Sequence, residues 1–132
     1  MRPIAGIAAA ILLAATALAA APPVQGDPKR GEVAFQKCYA CHALEPGKNL
    51  SGPSLHRIFG RRIAAAPGFD YSPALRGLAT RTKRWDPALL DRFIADPEAL
   101  APHTSMTFTG MRNAQERADL IAFLKSPGAR RR

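Results

Sequence analysis

Five consecutive residues, Cys38-Tyr39-Ala40-Cys41-His42, bring two thiols and an imidazole together. The pattern C-x-x-C-H is the sequence signature of covalent c-type haem attachment. In a helix Cys38 and Cys41 share one face, because residues three apart are neighbours, so both thiols can reach the vinyl groups of one porphyrin. One nitrogen of His42 can then bind iron while the other donates a hydrogen bond. The motif predicts one haem c, covalently bound through Cys38 and Cys41.

Other uses of these residues fit the sequence less well. A zinc site needs four ligands, but Cys38 and Cys41 are the only cysteines and no second C-x-x-C or H-x-x-x-H pair exists. A thioredoxin-like redox pair would lie in a βαβ unit, whereas the flanking sequence favours helix. A disulfide across two intervening residues would be strained and would leave His42 without a role.

The N-terminal 26 residues predict export rather than part of the fold. Arg2 supplies a positive charge, residues 4–18 form an uncharged run of small and apolar residues, and Ala17-Leu18-Ala19 fits a cleavage site. We predict a signal peptide over residues 1–21, cleaved within residues 19–21, and a short leader over residues 22–26. The alternative is an uncleaved anchor that holds the protein on the periplasmic side of a membrane, which the weak hydrophobicity of alanine disfavours.

Residues 27–126 are predicted to form one domain. An exported chain meets an oxidising compartment, where thioether bonds to haem give two thiols a stable fate. About 100 residues is small for a self-sufficient apolar core, and a buried porphyrin would supply much of the missing interior. Loss of the haem is therefore expected to unfold the chain.

The chain is strongly basic, with 19 Lys and Arg against 10 Asp and Glu and a formal net charge of +9 at pH 7. Such a surface attracts acidic partners and steers their approach at low salt. Export and the lack of any groove-reading motif argue against nucleic acid as the partner. Residues 127–132 form a basic C-terminal tail that is expected to be frayed and solvated.

Helix signals recur along the chain, and no segment shows the alternation typical of a strand. The pairs Asp27-Pro28, Ser72-Pro73 and Asp86-Pro87 each join a capping side chain to a proline suited to the first helical position. The stretch from Asn113 to Glu116 resembles a capping box. We predict an all-α fold with helices over residues 28 to about 39, 73 to about 79, 87 to 96 and about 114 to 125.

A closed haem site needs a second axial ligand opposite His42. The mature chain offers four candidates for it: Met106, Met111, His56 and His103. Periodicity does not choose among them. Met106 lies in an irregular stretch able to wrap the distal face of a haem, whereas Met111 abuts the last helix and suits the core equally well.

Short motifs form an ordered series that covers Asp27 to Lys125. They are Gly31 and Phe35, the C-x-x-C-H motif, Gly52-Pro53-x-Leu55-x-x-x-Phe59-Gly60-Arg61, Ala66-Pro67-Gly68-Phe69-x-Tyr71-Ser72, Trp85, Asp96-Pro97, Pro102-x-Thr104-x-Met106-x-Phe108-x-Gly110, and Asp119 to Leu124. In this series the chain resembles a class I cytochrome c of the mitochondrial and periplasmic type. So many matches in order are far more specific than C-x-x-C-H alone.

The resemblance implies a small cytochrome c fold in which the N- and C-terminal helices cross and loops wrap one covalent haem. Gly31 and Phe35 would then pack on the last helix. The resemblance also assigns the iron ligands, with His42 proximal and Met106 distal, an arrangement that raises the reduction potential. The carbonyl of Pro53 would accept a hydrogen bond from the second nitrogen of His42.

The same resemblance assigns three residues to a haem propionate. Tyr71 and Trp85 would donate hydrogen bonds to it and Arg61 would supply a nearby countercharge, because a buried carboxylate is costly unless it is paired. His56 matches a family position that does not bind iron, so we expect it at the surface or behind the site.

Several positions depart from the family pattern. Phe93 replaces a tyrosine near the methionine sulfur and Leu75 replaces a pocket asparagine, so the pocket is expected to be drier. His103 stands at a usual glycine position and is the alternative iron ligand at high pH or after loss of Met106. Three positions where relatives carry lysines around the exposed haem edge hold other residues: Glu98, Ala99 and Ser105. The docking face is therefore expected to differ from that of the relatives.

The resemblance implies a periplasmic, monomeric electron carrier that meets membranes only through its partners and is not an enzyme. Implied partners are a quinol-oxidising bc complex as donor and a terminal oxidase or a reaction centre as acceptor. A second hypothesis is a dedicated electron acceptor of one periplasmic dehydrogenase. A third is a haem peroxidase or ligand sensor with a labile Met106 bond, although no distal acid-base pair resembles that of a peroxidase.

Overall fold

The computed structural model describes residues 20–130, so most of the predicted signal peptide lies outside the described residues. Within these residues six helices follow one another: α1 Pro28–Tyr39, α2 Pro73–Arg81, α3 Pro87–Ala95, α4 Pro97–Leu100, α5 Ala114–Lys125 and α6 Pro127–Arg130. Extended pairing in residues 20–130 is limited to two isolated bridges, His42 with Asn49 and Arg62 with Arg84. None of these helices in residues 20–130 combines the length and the hydrophobicity that a membrane span requires. The predicted all-α class is confirmed.

Each helix from α1 to α5 begins directly after a residue whose side chain caps its first turn. Asp27, for example, accepts hydrogen bonds from the amides of Lys29 and Arg30 at 2.8 and 2.9 Å. The caps of the next four helices are Ser72, Asp86, Asp96 and Asn113. These contacts satisfy amides that have no partner within the helix, which is why the capping pattern locates the helix starts well.

Helices α1 and α5 cross at Gly31. A Cβ atom at this position would lie 1.9 Å from the carbonyl oxygen of Asp119, so a glycine is required for this close approach. One turn further along, the rings of Phe35 and Phe123 pack with their centroids 5.6 Å apart. The predicted crossing of the terminal helices is therefore present, and it brings the end of α1 close to the interior.

Gly31→Ala is expected to destabilise the protein by about 3 kcal/mol or more, because α1 must move away from α5 to relieve the overlap. A matched control exists in α2, where a Cβ at Gly77 would meet nothing within 4 Å. Gly77→Ala should stabilise the protein by about 0.5–1 kcal/mol, since alanine loses less backbone entropy in a helix. Urea unfolding of both variants with haem bound measures the difference. Equal effects of the two substitutions would contradict the crossing.

A buried carboxylate, Asp119, ties the start of α1 to α5. It accepts hydrogen bonds from the Asp27 amide at 2.7 Å, from Nε and Nη2 of Arg30 at 2.8 and 2.9 Å, and from Gln115 at 2.9 Å. The side-chain hydrogen bonds from Arg30 are the main reason that the pKa of Asp119 lies well below its usual range. The helical pattern alone does not reveal this network, because its members lie far apart in the sequence.

The lowered pKa of Asp119 predicts how stability depends on pH. A carboxylate whose folded-state pKa lies below its unfolded value of about 3.9 contributes stability above that pH, and loses it as pH falls toward the folded value. Asp119→Asn should therefore be less stable at neutral pH and show a flatter loss of stability below about pH 4. Urea unfolding at a series of pH values tests this. The prediction would be contradicted if the free energy of unfolding of Asp119→Asn fell as steeply below about pH 4 as that of the wild type.

Asp70→Asn is the control for this experiment. The side chain of Asp70 is 94% exposed and pairs with the exposed Arg76. Exposed ion pairs of this kind contribute little to stability, so we expect little change at neutral pH.

Three details of the helices differ from the expectation. The short helix α4 was not among the predicted helices. Helix α2 extends two residues further than predicted, to Arg81. The C-terminal tail is not wholly solvated, because α6 packs on α5 and Ala129 is only 3% exposed. A single buried alanine between Gly128 and Arg130 gives no periodic signal, which is why the sequence predicts a frayed end. Residues 131–132 lie outside the described residues.

Candidate functional site

A cavity of about 510 Å³ lies between the helices and the loops that connect them. All eight residues predicted to bind the cofactor line it: Cys38, Cys41, His42, Pro53, Arg61, Tyr71, Trp85 and Met106. Large apolar side chains from α2, α3 and α5 complete much of the wall, among them Leu75, Phe93 and Leu120. The tertiary structure thus brings together residues that span 69 positions of the sequence, from Cys38 to Met106.

The C-x-x-C-H motif is held by the end of α1. The amides of Cys41 and His42 both donate to the carbonyl of Cys38, at 3.1 and 2.9 Å, and so continue the helical turn past Tyr39. Cys38 is half-buried and Cys41 is exposed. Burial raises the pKa of the Cys38 thiol to about 11, so an unattached Cys38 is a thiol and not a thiolate. Both sulfur-bearing residues border the cavity, as covalent attachment requires.

The imidazole of His42 is buried and fixed in orientation. Its Nδ1 lies 2.7 Å from the carbonyl oxygen of Pro53. Because a carbonyl can only accept, Nδ1 carries the proton, and the lone pair belongs to Nε2. Burial lowers the pKa of His42, which favours the neutral ring. This is the form that binds a metal.

Gly52 belongs to the site because of its contact with His42, and the sequence alone does not reveal this contact. A Cβ atom here would lie 2.4 Å from Cε1 of His42. The absent side chain is therefore what allows the loop to lie against the imidazole and present the carbonyl of Pro53. The sequence motif that contains Gly52-Pro53 does not say which side chain packs on the glycine.

The four candidates for a second axial ligand lie in different places. Met106 lines the cavity and is half-buried. Met111 is 3% exposed and packs in the core, away from the cavity lining. His56 turns its Nδ1 to the carbonyl of Leu44, at 3.0 Å, beside a separate cavity of about 190 Å³. His103 is exposed and does not line the larger cavity. Of the four, Met106 alone reaches it.

Arg61 carries the clearest sign of a missing polar partner. Its Nη1 donates to the carbonyl of Ser54 at 2.7 Å, whereas its Nε is buried and has no hydrogen-bond partner among the described residues. A buried donor without an acceptor costs free energy. Burial lowers the pKa of Arg61, but a guanidinium stays protonated at any physiological pH. An anionic group in the cavity would satisfy this donor.

Tyr71 and Trp85 lie beside Arg61 in the cavity wall. The hydroxyl oxygen of Tyr71 accepts a hydrogen bond from the amide of Ala66 at 3.2 Å and keeps its own proton to donate. Trp85 is buried and packs edge-on against Phe93 with centroids 5.2 Å apart. Two donors and one cation on a mostly apolar wall fit a porphyrin, which has an apolar ring and carboxylate side chains.

The departures from the family pattern also have places in the structure. Phe93 and Leu75 are both buried and line the cavity without adding a polar group. His103 adopts the left-handed conformation with φ of 63°, which favours glycine, and its amide donates to Glu98 at 2.8 Å. Ser105 borders the cavity with a neutral side chain. Ser105, the sequence neighbour of Met106, therefore adds no cation to the cavity wall.

Comparison with known proteins assigns the chain to a family. The cytochrome c family model matches residues 28–127. Cytochrome c2 of Rhodomicrobium vannielii is 40% identical over 122 residues, which are 92% of this chain and 91% of the relative. Cytochrome c-554 of Methylosinus trichosporium is 39% identical over 124 residues, 93% and 90% of the two chains. The structure of cytochrome cH from Methylobacterium extorquens superposes with a TM-score of 0.69 at 39% identity, and covers 76% of this chain and 98% of that one.

The fold and the cavity define a small c-type haem protein. The chain belongs to the cytochrome c family. It carries one covalent haem c, attached through Cys38 and Cys41, and it is a mono-haem electron carrier.

Proposed function

We propose that His42 and Met106 would be the two side chains that bind the haem iron. The observation that supports this most directly is that Met106 is the one candidate ligand, of four, that lines the cavity. On the proximal side, the Pro53 carbonyl holds His42 with Nε2 free to bind. The bound haem supplies reversible one-electron redox chemistry. Thioether sulfur is a soft, uncharged ligand that favours ferrous iron, so Met106 raises the reduction potential.

Arg61, Tyr71 and Trp85 would hold a haem propionate. The unpaired Nε of Arg61 and the free hydroxyl proton of Tyr71 support this role. The indole of Trp85 lies in the same wall and is a donor only. Together these residues would let the carboxylate stay ionised in a mostly apolar site, because a charged group there needs hydrogen bonds and a countercharge.

Arg61→Gln is expected to lower the reduction potential. The cation stabilises the ferrous state, which carries one positive charge less than the ferric state, so its removal favours the ferric form. A redox titration of the purified protein measures the shift. Arg112→Gln is the control, since Arg112 is exposed and does not line the cavity. An unchanged potential in a folded Arg61→Gln protein would contradict the propionate role.

The periplasm is the proposed location. Bacterial cytochromes c2 and c-554 among the relatives suggest it, and the predicted signal peptide supports it. The test is cell fractionation followed by N-terminal sequencing. A mature N-terminus at residues 20–22 in the periplasmic fraction supports the proposal. An intact Met1 or Arg2 in the membrane fraction would instead favour the anchored alternative.

Redox proteins are the proposed partners, with a quinol-oxidising bc complex as donor and a terminal oxidase or a reaction centre as acceptor. Small, polar and short-lived contacts are typical of electron-transfer complexes, which suits a basic chain of this size. Membrane vesicles from the source organism test this. Quinol should reduce the added protein, and oxygen or light should reoxidise it. Absence of both reactions would contradict the proposal.

A dedicated acceptor of one periplasmic dehydrogenase is the second candidate. The neutral Ser105 at the cavity and the acidic Glu98 nearby favour it, because a partner adapted to lysines at these positions would lose contacts. Reduction by a co-purifying dehydrogenase, but not by the vesicles, would select this candidate.

We further propose that the protein catalyses no reaction on a substrate. Among the described residues no carboxylate lines the cavity, and the one imidazole that does, His42, is bound to the Pro53 carbonyl. A peroxidase needs a distal acid-base pair to move protons. The native ferric protein should therefore not react with hydrogen peroxide, and rapid turnover of peroxide would contradict this.

A further inference from the structure

Residues 61–63 and 83–85 form a short antiparallel pairing on the surface. Two backbone hydrogen bonds, from Ile63 to Lys83 and from Trp85 to Arg61, are both 3.0 Å long and flank the pair Arg62–Arg84. This pattern makes Arg62 and Arg84 a non-hydrogen-bonded pair, the kind in which opposite side chains approach most closely. Two arginines thus stand opposite each other across the pairing, and Nη1 of Arg84 also donates to the carbonyl of Gly60 at 2.7 Å.

Arg62, Lys83 and Arg84 are all exposed, and we call them the basic ridge. Like charges directly opposite each other destabilise an antiparallel pair. Within residues 20–130 the structure gives no carboxylate within ion-pair distance of these three side chains. The carboxylate nearest in sequence, Asp86, instead caps α3 by accepting from the amide of Leu89 at 2.7 Å. The cations in ion pairs lie elsewhere: Arg30, Lys37, Lys48, Arg76 and Arg117.

The basic ridge is the outer side of the cavity wall. Arg61 and Trp85, the sequence neighbours of the paired arginines, line the cavity. Each exposed arginine is therefore next in sequence to a residue that lines the cavity: Arg62 follows Arg61, and Arg84 precedes Trp85. By contrast, the exposed residues Ser51, Ser105 and Thr107 that border the cavity are neutral, and the exposed cation Lys37, which also borders it, is paired with Glu116. The cations near the cavity that have no ion-pair partner among the described residues therefore include those of the ridge, whereas Lys37 is already paired.

We propose that the basic ridge docks an acidic patch on a redox partner protein. The inference rests on the proposed electron-carrier function and names the surface that the partner uses. Carboxylates of the partner would lie between Arg62 and Arg84 and relieve their repulsion, while the contact stays next to the cavity wall. A membrane is the less suitable occupant, because attraction to anionic lipids takes clusters of about four to eight cations and the ridge has three.

The test uses the ferrous holoprotein and a poly-glutamate peptide as the acidic probe. In ¹⁵N NMR spectra at low salt, we expect shifts concentrated at residues 60–63 and 83–85 that disappear as salt is added. Arg62→Gln/Arg84→Gln should weaken peptide binding about tenfold, since each exposed pair contributes modestly. The matched control is Arg92→Gln/Arg112→Gln, which removes the same charge from exposed sites and should change the affinity less than about twofold.

Two outcomes would overturn the proposal. Equal losses in both variants would show that net charge alone attracts the peptide. Loss of binding to phosphatidylglycerol vesicles in the ridge variant, with peptide affinity retained, would show that the ridge meets a membrane.

Electron exchange with the membrane vesicles described above gives a second readout. In that assay the ridge variant should exchange electrons more slowly than the control variant at low salt. A wild-type protein that binds the peptide at the ridge but exchanges no electrons would refute the proposed function and not the acidic docking surface.

Discussion

Replacing Met106 with alanine is expected to open the sixth position of the haem iron and make the reduced protein bind carbon monoxide. Met106 is half-buried at the cavity, and Thr104 Oγ1 accepts from its amide at 3.3 Å, so the loop can hold its sulfur in place. Without the thioether the ferrous state loses its preferred ligand, and the potential should fall by on the order of 100 mV or more. Absorption spectra with and without carbon monoxide, together with a redox titration, measure both effects.

Met111→Ala is the matched control for Met106→Ala. Met111 is 3% exposed and does not line the cavity, so its truncation should leave a void in the core and cost about 2–5 kcal/mol of stability. Its spectra and its indifference to carbon monoxide should match those of the wild type. If instead Met106→Ala kept wild-type spectra while Met111→Ala bound carbon monoxide, the ligand assignment would be wrong.

Preventing haem attachment is expected to unfold the chain. The variant Cys38→Ala/Cys41→Ala removes both thioether bonds, and the cavity of about 510 Å³ is then left without its covalent occupant. The wall of this cavity is largely apolar, so without the haem its side chains lose the group they pack against and are left facing water. A domain of this size has a total stability of about 5–15 kcal/mol, so little or none would remain.

Far-ultraviolet circular dichroism of the purified haem-free variant tests this prediction. We expect little helical signal and no cooperative thermal transition, whereas the haem-bound wild type should show both. The single variant Cys41→Ala is the control, because one thioether through Cys38 can still retain the haem. A haem-free double variant with native helix content and a sharp transition would show that the polypeptide supports the cavity alone.

The parts of the fold that the sequence predicts best are those set by local chemistry. A capping side chain followed by proline acts within one turn, so the starts of α1, α2 and α3 are readable at Asp27, Ser72 and Asp86. The C-x-x-C-H motif is equally local. The prediction of a solvated tail was wrong at Ala129, because the burial of this residue depends on packing against α5 and not on its neighbours in sequence.

The site is less readable where it depends on residues distant in sequence. Periodicity left four candidates for the second axial ligand, and the path of the loop past the cavity separates Met106 from His103 only in three dimensions. The steric need for Gly52 beside His42 and the unpaired Nε of Arg61 are likewise tertiary facts. The family resemblance assigns Arg61 as the countercharge of a haem propionate. The structure adds the physical reason, which is the buried Nε of Arg61 that lacks an acceptor.

The measurement that tests the central proposal most directly is an absorption spectrum of the purified protein from the ultraviolet to the near-infrared, in the ferric and ferrous states, with carbon monoxide added to the ferrous form. Ligation by His42 and Met106 predicts a sulfur-to-iron charge-transfer band in the ferric state and no reaction with carbon monoxide. A missing band with rapid carbon monoxide binding would contradict it and favour a labile, reactive site. A missing band without carbon monoxide binding would also contradict it and point to His103 as the ligand.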